Sequence, residues 1–293
     1  MTAQVISLLS LESFGQANSF VRCAPFLSNV NTFAAVYFDD RSLNELGKFD
    51  MVILDPDNYD ASDVGKLKLL GATPIAYLNI GEIEIYRKYY KPADSSLFLS
   101  PDPNWRYCYY SNICNPGWQE LVLEKRIPEI LDKGFCGLFL DLSDLLSEYP
   151  SVRKCAVSLI RKIRDRVGLR NLIVDGGTQI VDKIGDNVDG LAVEGLMGHY
   201  DFQSDNYVMY SSKSWDRKVT FLINKAKKYR IKIFQLDYAS PADFRNRERI
   251  ISESRRLGFI PYVGTIELDT VFMDTIHKIR KTAQRSAFDG QRR

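Results

Sequence analysis

Seven acidic side chains stand where short apolar runs stop: Asp55 after MVIL, Glu82 and Glu84 after TPIAYLNIG, Asp141 in GLFLD, Asp175 in LIVD, Glu194 in GLAVE and Asp237 in KIFQLD. Carboxylates that converge in pairs perform glycoside hydrolysis: one carboxyl protonates the leaving oxygen while the other attacks the anomeric carbon or activates water. A lone Asp at the end of a strand is commonly no more than a helix N-cap. Seven acids at six consecutive run ends exceed what capping requires. Asp60 and Ser62 are cap candidates that relieve Asp55, and Ser143 with Asp144 relieve Asp141. Glu is a poor N-cap type, so Asp141 and Glu194 are the catalytic candidates. Asp175, followed by two glycines and Thr178, reads equally as a cap or as part of a site.

Aromatic residues crowd the same run ends and the segments after them, including Tyr77, Tyr86, Trp105, Tyr200 and Tyr238. Flat rings suit sugar rings, and each ring taken alone also suits simple packing. We read Asp55, Tyr77, Glu82, Tyr86, Asp175, Tyr200, Asp237 and Tyr238 as substrate-binding, together with the rest of the segment to Tyr90. Other chemistries lack their residues. The chain has two histidines, His199 and His277, neither with a partner at ligand spacing, so no metal is expected. His199, in GLMGHYD, is a candidate to line the site, and His277 reads as a surface residue. Lys232 begins its run and is at the wrong end for a Schiff base. VDGGTQ lacks phosphate-loop spacing, and no cofactor is expected.

These residues need elements to hold them. Eight short β-branched and aromatic runs, FAAVYF (33–38), MVILDP (51–56), TPIAYLNIG (73–81), GLFLDL (137–142), LIVDGG (172–177), GLAVEGL (190–196), KIFQLDY (232–238) and FIPYVGT (259–265), alternate with amphipathic segments. In SVRKCAVSLIRKIRDRVG the apolar positions Val152, Ala156, Leu159, Ile160 and Ile163 recur at helical spacing. Eight such units predict an α/β fold of the (β/α)8 TIM-barrel type, with an open doubly wound sheet as the alternative. In a barrel, chemistry sits at the C-terminal strand ends, where the acids are. The expected organisation is an N-terminal extension over 1–30, one barrel domain over 31–282 with a long loop after strand three (83–116), and a tail over 283–293.

Composition excludes several partners. Lys and Arg (39) nearly balance Asp and Glu (37), and the basic stretch from Lys218 to Lys232 alternates with apolar residues like the outer face of a helix, so no nucleic acid is expected. No apolar run approaches the ~20 residues of a membrane span, and MTAQVISLLS lacks the basic start of an export signal. Five scattered cysteines indicate no disulfide framework, Cys108 with Cys114 being the pairing considered. A monomer is expected; the compartment is left open.

The succession VILDPD (52–57), PIAYLNIGEIEIYRKYY (74–90), NPGWQELVLEKRIPEILDKGFCGLFLDLSD (115–144), NVDGLAVEGL (187–196) and QLDYA (235–239) resembles glycoside hydrolase family 114, the endo-α-1,4-polygalactosaminidases and their relatives, over roughly residues 33–272. The resemblance implies a metal-free barrel cleaving α-1,4-linked galactosamine-rich polysaccharide, with the family's two carboxylates falling on Asp141 and Glu194. It also implies relatives that are commonly secreted. The chain departs from the family pattern at Asp175-Gly176-Gly177, where the resemblance expects an Asn-Gly pair. A retaining geometry is expected, with Asp141 as nucleophile and Glu194 as acid/base, although the residues themselves leave that order open. A non-catalytic carbohydrate-binding barrel and a transglycosylase are the competing readings.

Overall fold

The computed structural model describes residues 27–37, 43–89, 95–142 and 144–273. Most of the expected N-terminal extension, together with Tyr90, Ser143, His277 and the C-terminal tail, lies outside the described residues. Eight parallel strands form one sheet in chain order: β1 (Phe33–Val36), β2 (Met51–Leu54), β3 (Thr73–Asn79), β4 (Gly137–Asp141), β5 (Asn171–Asp175), β6 (Gly190–Glu194), β7 (Lys232–Tyr238) and β8 (Ile260–Gly264). The sheet curls until its two edges meet. The Phe33 ring of β1 lies 5.5 Å from that of Tyr262 in β8, and the Tyr37 N–H donates to the Leu268 carbonyl at 2.9 Å. The result is a nearly closed (β/α)8 barrel.

These runs become strands because they are apolar on both faces; β1, β2, β5 and β8 are buried at every position. Among the intervening helices are α1 (Leu43–Leu46), α2 (Ala61–Leu69), α3, α4 (Arg153–Val167), α5 (Val181–Ile184), α6 (Ser212–Tyr229) and α7 (Phe244–Arg256), with one further turn of helix at Leu145–Glu148. Helix α3 runs from Pro116–Glu120 through a π-helical stretch, Leu121–Arg126, to Ile127–Asp132. The apolar stripe of α4 buries Ala156, Leu159, Ile160 and Ile163, as its periodicity predicts. Asp60 caps α2, accepting from the Ser62 and Asp63 N–H groups at 2.8 and 3.0 Å, which leaves Asp55 without that task.

Two excursions rise from the C-terminal side of the barrel. Between β3 and α3 the chain builds a three-stranded antiparallel sheet from Glu82–Glu84, Phe98–Pro101 and Cys108–Ser111, the last of these in the middle. After β6 it forms a hairpin from Gly198–Asp201 and Asn206–Met209. The first excursion is joined tightly to β4: the Ile80 and Gly81 N–H groups both donate to the Asp141 carbonyl, at 2.9 and 3.0 Å. A Cβ at Gly81 would lie 2.3 Å from the Leu142 carbonyl oxygen, so only glycine lets the two backbones approach this closely.

The cysteine expectation is corrected. A disulfide joins Cys114, just before α3, to Cys155 in α4, with Cα atoms 5.2 Å apart, while Cys108 is a buried free thiol. Packing of α4 beside the start of α3 brings together two thiols separated by 41 residues, a pairing that short sequence spacing cannot indicate. Among the described residues, no helix is long and apolar enough to cross a membrane.

Candidate active site

Asp141, Asp175 and Glu194 end three neighbouring strands and line one cleft of about 930 Å³ at the C-terminal mouth of the barrel. Strand register places Asp141 beside Asp175. Each of the two catalytic candidates has its own phenol: Tyr77 donates to Asp141 Oδ2 at 2.8 Å, and Tyr238 donates to Glu194 Oε2 at 2.6 Å. Glu194 and Asp175 end adjacent strands in this cleft, and each carboxyl acts on the proton affinity of the other. Gly195 adopts the left-handed φ of 56°, turning the chain immediately after Glu194 into the hairpin.

The electrostatics of this group follow from burial among like charges. Glu194 holds its proton well above the usual carboxylate range because of burial, then the charges of Asp175 and Asp141; the Tyr238 hydrogen bond opposes this. Asp175 is also raised, by burial and then Asp141, with the Glu194 hydrogen bond and the Gly176 N–H acting the other way. Tyr37, Tyr77 and Tyr238 are all pushed up, first by burial and then by these acids, so they remain neutral hydrogen-bond donors. The Tyr37 ring packs on Tyr77 at 4.3 Å.

The side of the mouth formed by β2 and β3 is built differently. Arg87 reaches Asp55 Oδ2 and Glu84 Oε2, each at 2.6 Å, and Asp57 Oδ2 at 3.2 Å. Arg126, from α3, holds the other Asp57 oxygen at 2.9 Å. Asp55 Oδ1 accepts the Asp57 N–H, so both Asp55 oxygens are engaged within the protein. Burial raises the Asp55 carboxyl, with Arg87 opposing it; for Asp57 burial acts upward as well, but the two arginines bring it below the ordinary value.

The other sequence-predicted residues fall into distinct places. Glu82 lines the cleft and accepts from Asn79 Nδ2 at 3.3 Å; burial, then the Asp141 charge and then Asp102 push it up to about 9. Tyr86 lines the cleft and donates to Glu84 at 2.6 Å. Tyr200, also at the cleft, is hydrogen-bonded to Asp205. Asp237 does not line the cleft. It is fully enclosed, accepting the Met197 and Gly198 N–H groups at 2.8 and 3.0 Å and the Gln235 amide, and so fixes the start of the hairpin. His199 does line the cleft, its ring stacked on Tyr210 at 4.1 Å. Asp144 makes no capping hydrogen bond and lines the cleft, contrary to its expected role as a helix cap.

Sequence reasoning missed Tyr37, Asp102 and Lys218, all of which line the cleft, as does Arg87 of the segment expected to bind substrate. Tyr37 stands one residue beyond β1, so the rule applied to acids at run ends would have found it had it been applied to phenols. Lys218, read as part of an outer helix face, lies on α6 and its charge reaches Asp175 and Asp144. Trp105 and Phe202 also line the cleft, and their rings, 5.3 Å apart, connect the two excursions. Among the described residues, no group of three or more His, Cys, Asp or Glu side chains is arranged to hold a metal ion.

The model of glycoside-hydrolase family GH114 matches residues 15–279. An uncharacterized protein of Methanocaldococcus jannaschii is 25% identical over 235 residues, covering 70% of this chain and 65% of that protein. One from Thermotoga maritima is 25% identical over 246 residues, covering 76% of this chain and 74% of its own length. Among solved structures, the glycoside hydrolase domain of PelA from Pseudomonas aeruginosa is similar with a TM-score of 0.72 at 23% identity, covering 83% of this chain and 97% of that domain. Ega3 from Aspergillus fumigatus, in complex with galactosamine, is similar at 0.60 and 14% identity, covering 82% of this chain and 92% of that one. At these identities the structural likeness concerns the fold.

Proposed function

The chain belongs to glycoside-hydrolase family GH114, and from that premise we propose that it cleaves an α-1,4-linked, galactosamine-rich polysaccharide within the chain and with retention, using Asp141 as nucleophile and Glu194 as acid/base. The observation that carries this reading is the contrast between two carboxyls in one cleft: Glu194 is kept protonated by burial beside Asp175 and Asp141, whereas Asp141 accepts a hydrogen bond from the Tyr77 phenol. A protonated acid and a hydrogen-bonded carboxylate are the two states that the first step of a retaining glycosidase needs. Glu194 gives its proton to the glycosidic oxygen as that oxygen leaves C1, and an Asp141 oxygen forms the new bond to C1. Water, deprotonated by the Glu194 carboxylate, then releases the sugar from Asp141.

For the substrate, the supporting features are the excess of acids around the cleft and the galactosamine bound by the family's structural neighbour Ega3. Glu82, with its buried Oε1 accepting no N–H and its carboxyl facing Asp102, suits an ammonium group that would take over the proton's place between the two acids. Tyr86 and Tyr200 offer ring faces to the polymer at the cleft walls.

The test is product analysis. The protein is incubated with deacetylated and partly acetylated galactosaminogalactan, and products are read by mass spectrometry and by proton NMR of the newly formed anomer. The expected result is new reducing ends, α-configured when first released, formed faster on the deacetylated polymer. Binding without cleavage would replace the enzyme by a carbohydrate-binding barrel, and chain lengthening would replace it by a transglycosylase.

A further inference from the structure

Asp175 is the member of the acidic trio that the proposed reaction does not use. Capping does not explain it. The turn after β5, Thr178–Ile180, starts at Gly177 without any side-chain cap, while the buried Asp175 carboxyl lines the cleft together with Glu194. Adjacent strands β5 and β6 end on these two acids, and both line the cleft. Before substrate arrives, one Glu194 oxygen, Oε2, already accepts from Tyr238, and the carboxyl shares the cleft with Asp175.

We propose that Asp175 is a positioning residue for the acid/base carboxyl, holding the Glu194 proton in a shared hydrogen bond until the glycosidic oxygen of a bound sugar takes that bond over. The inference rests on the assignment of Glu194 as acid/base. It also gives the second half of the reaction a driving force. Once Glu194 has given its proton to the leaving alcohol, two carboxylates face each other, and their repulsion makes Glu194 a stronger base toward the incoming water. That water gives its proton to Glu194 and its hydroxyl to C1 as the C1–Asp141 bond breaks, which restores the shared proton.

The groups that face the pair can be named. Asp141 from β4, Tyr238 from β7 and Tyr37 after β1 surround it, and Lys218 of α6 acts on Asp175 from the rim. Removal of the Asp175 charge leaves all of these in place. In an Asp175→Asn variant the Glu194 carboxyl loses a raising charge, so its proton affinity must fall.

The carboxyl carbon of Glu194, assigned in carbon-13 NMR by its loss in Glu194→Gln, reports that affinity without reference to turnover. The expected result is a titration midpoint at least one pH unit lower in Asp175→Asn, with the basic limb of kcat/KM moving down by the same amount. Asp175→Ser serves the same purpose should the amide variant fail to fold. A merely structural role would lower stability or activity at every pH without moving either quantity, and unmoved midpoints in a folded variant overturn the proposal. If Glu194→Gln itself keeps full turnover, the acid/base assignment fails, a result distinct from an unmoved midpoint beside an inactive Glu194→Gln.

Discussion

Carboxylates line both sides of the mouth, yet their surroundings oppose each other. Around β2 and β3, Asp55, Asp57 and Glu84 are tied to Arg87 and Arg126 by ion pairs of 2.6 to 3.2 Å. Around β4 to β6, the hydrogen bonds to Asp141 and Glu194 come from tyrosines, and Glu194 and Asp175 face each other. A buried acid next to a guanidinium stays ionised and acts as a strut. A buried acid next to other acids must keep or share a proton, and proton affinity near the working pH is what acid/base chemistry requires. Residue type and position along a strand are therefore not enough to identify a catalytic acid; the sign of its neighbours separates the two groups.

The widest separation between the two sides should appear when the acids themselves are replaced by amides. Asp141→Asn and Glu194→Gln are expected to lower kcat by about 10³-fold or more while the circular dichroism spectrum and melting temperature stay close to those of the parent. Near-normal turnover in either variant on a cleaved polymer would end the assignment of the pair. The arginine side should answer with stability. Arg87→Met leaves Asp55 and Glu84 buried without their cation, a change that costs about 3–5 kcal/mol. Asp55 is already raised by burial, and without Arg87 it rises further. A carboxyl whose folded-state pKa lies above its unfolded value binds protons more tightly when folded, so stability rises as the pH falls toward the unfolded value. Urea melts of Arg87→Met should thus show the largest loss at neutral pH and a smaller one in acid. A loss independent of pH would mean that packing, rather than unpaired charge, dominates.

The smallest effect distinguishes neighbours on the catalytic side. Tyr238 donates to Glu194 Oε2 and so favours its ionised form. Tyr238→Phe should move the basic limb of kcat/KM to higher pH by less than about one unit, opposite in direction to the shift expected of Asp175→Asn. A downward shift would show that the phenol does not act on Glu194 through this hydrogen bond.

The barrel was legible because its signal is repeated. Eight apolar runs and the α4 stripe of Ala156, Leu159, Ile160 and Ile163 each report burial locally, and the structure places a strand or a buried helix face at each of them. The convergence of Asp141, Asp175 and Glu194 followed from strand ends and from nothing else. What sequence could not supply was pairing at a distance. Asp55 and Arg87 lie 32 residues apart, and Asp57 and Arg126 lie 69 apart, so the conversion of acids into struts could not be read from the run ends. Asp237 reads as substrate-binding for the same reason, whereas in the structure it is enclosed by the Met197 and Gly198 N–H groups. The Cys114–Cys155 bridge belongs to this class as well.

Gly81 carries a consequence for how such a cleft can change over generations. Every single-nucleotide exchange that replaces glycine adds a side-chain carbon, and at this position that carbon would meet the Leu142 carbonyl at 2.3 Å. The neighbouring Asp141 carbonyl is the acceptor for both the Ile80 and the Gly81 N–H. Displacement there would be felt at the proposed nucleophile before it was felt anywhere in the excursion. Lineages adapting to a new polymer are thus free to rewrite the strands and turns beyond this junction, which shape the cleft wall, while the junction itself offers selection no alternative letter.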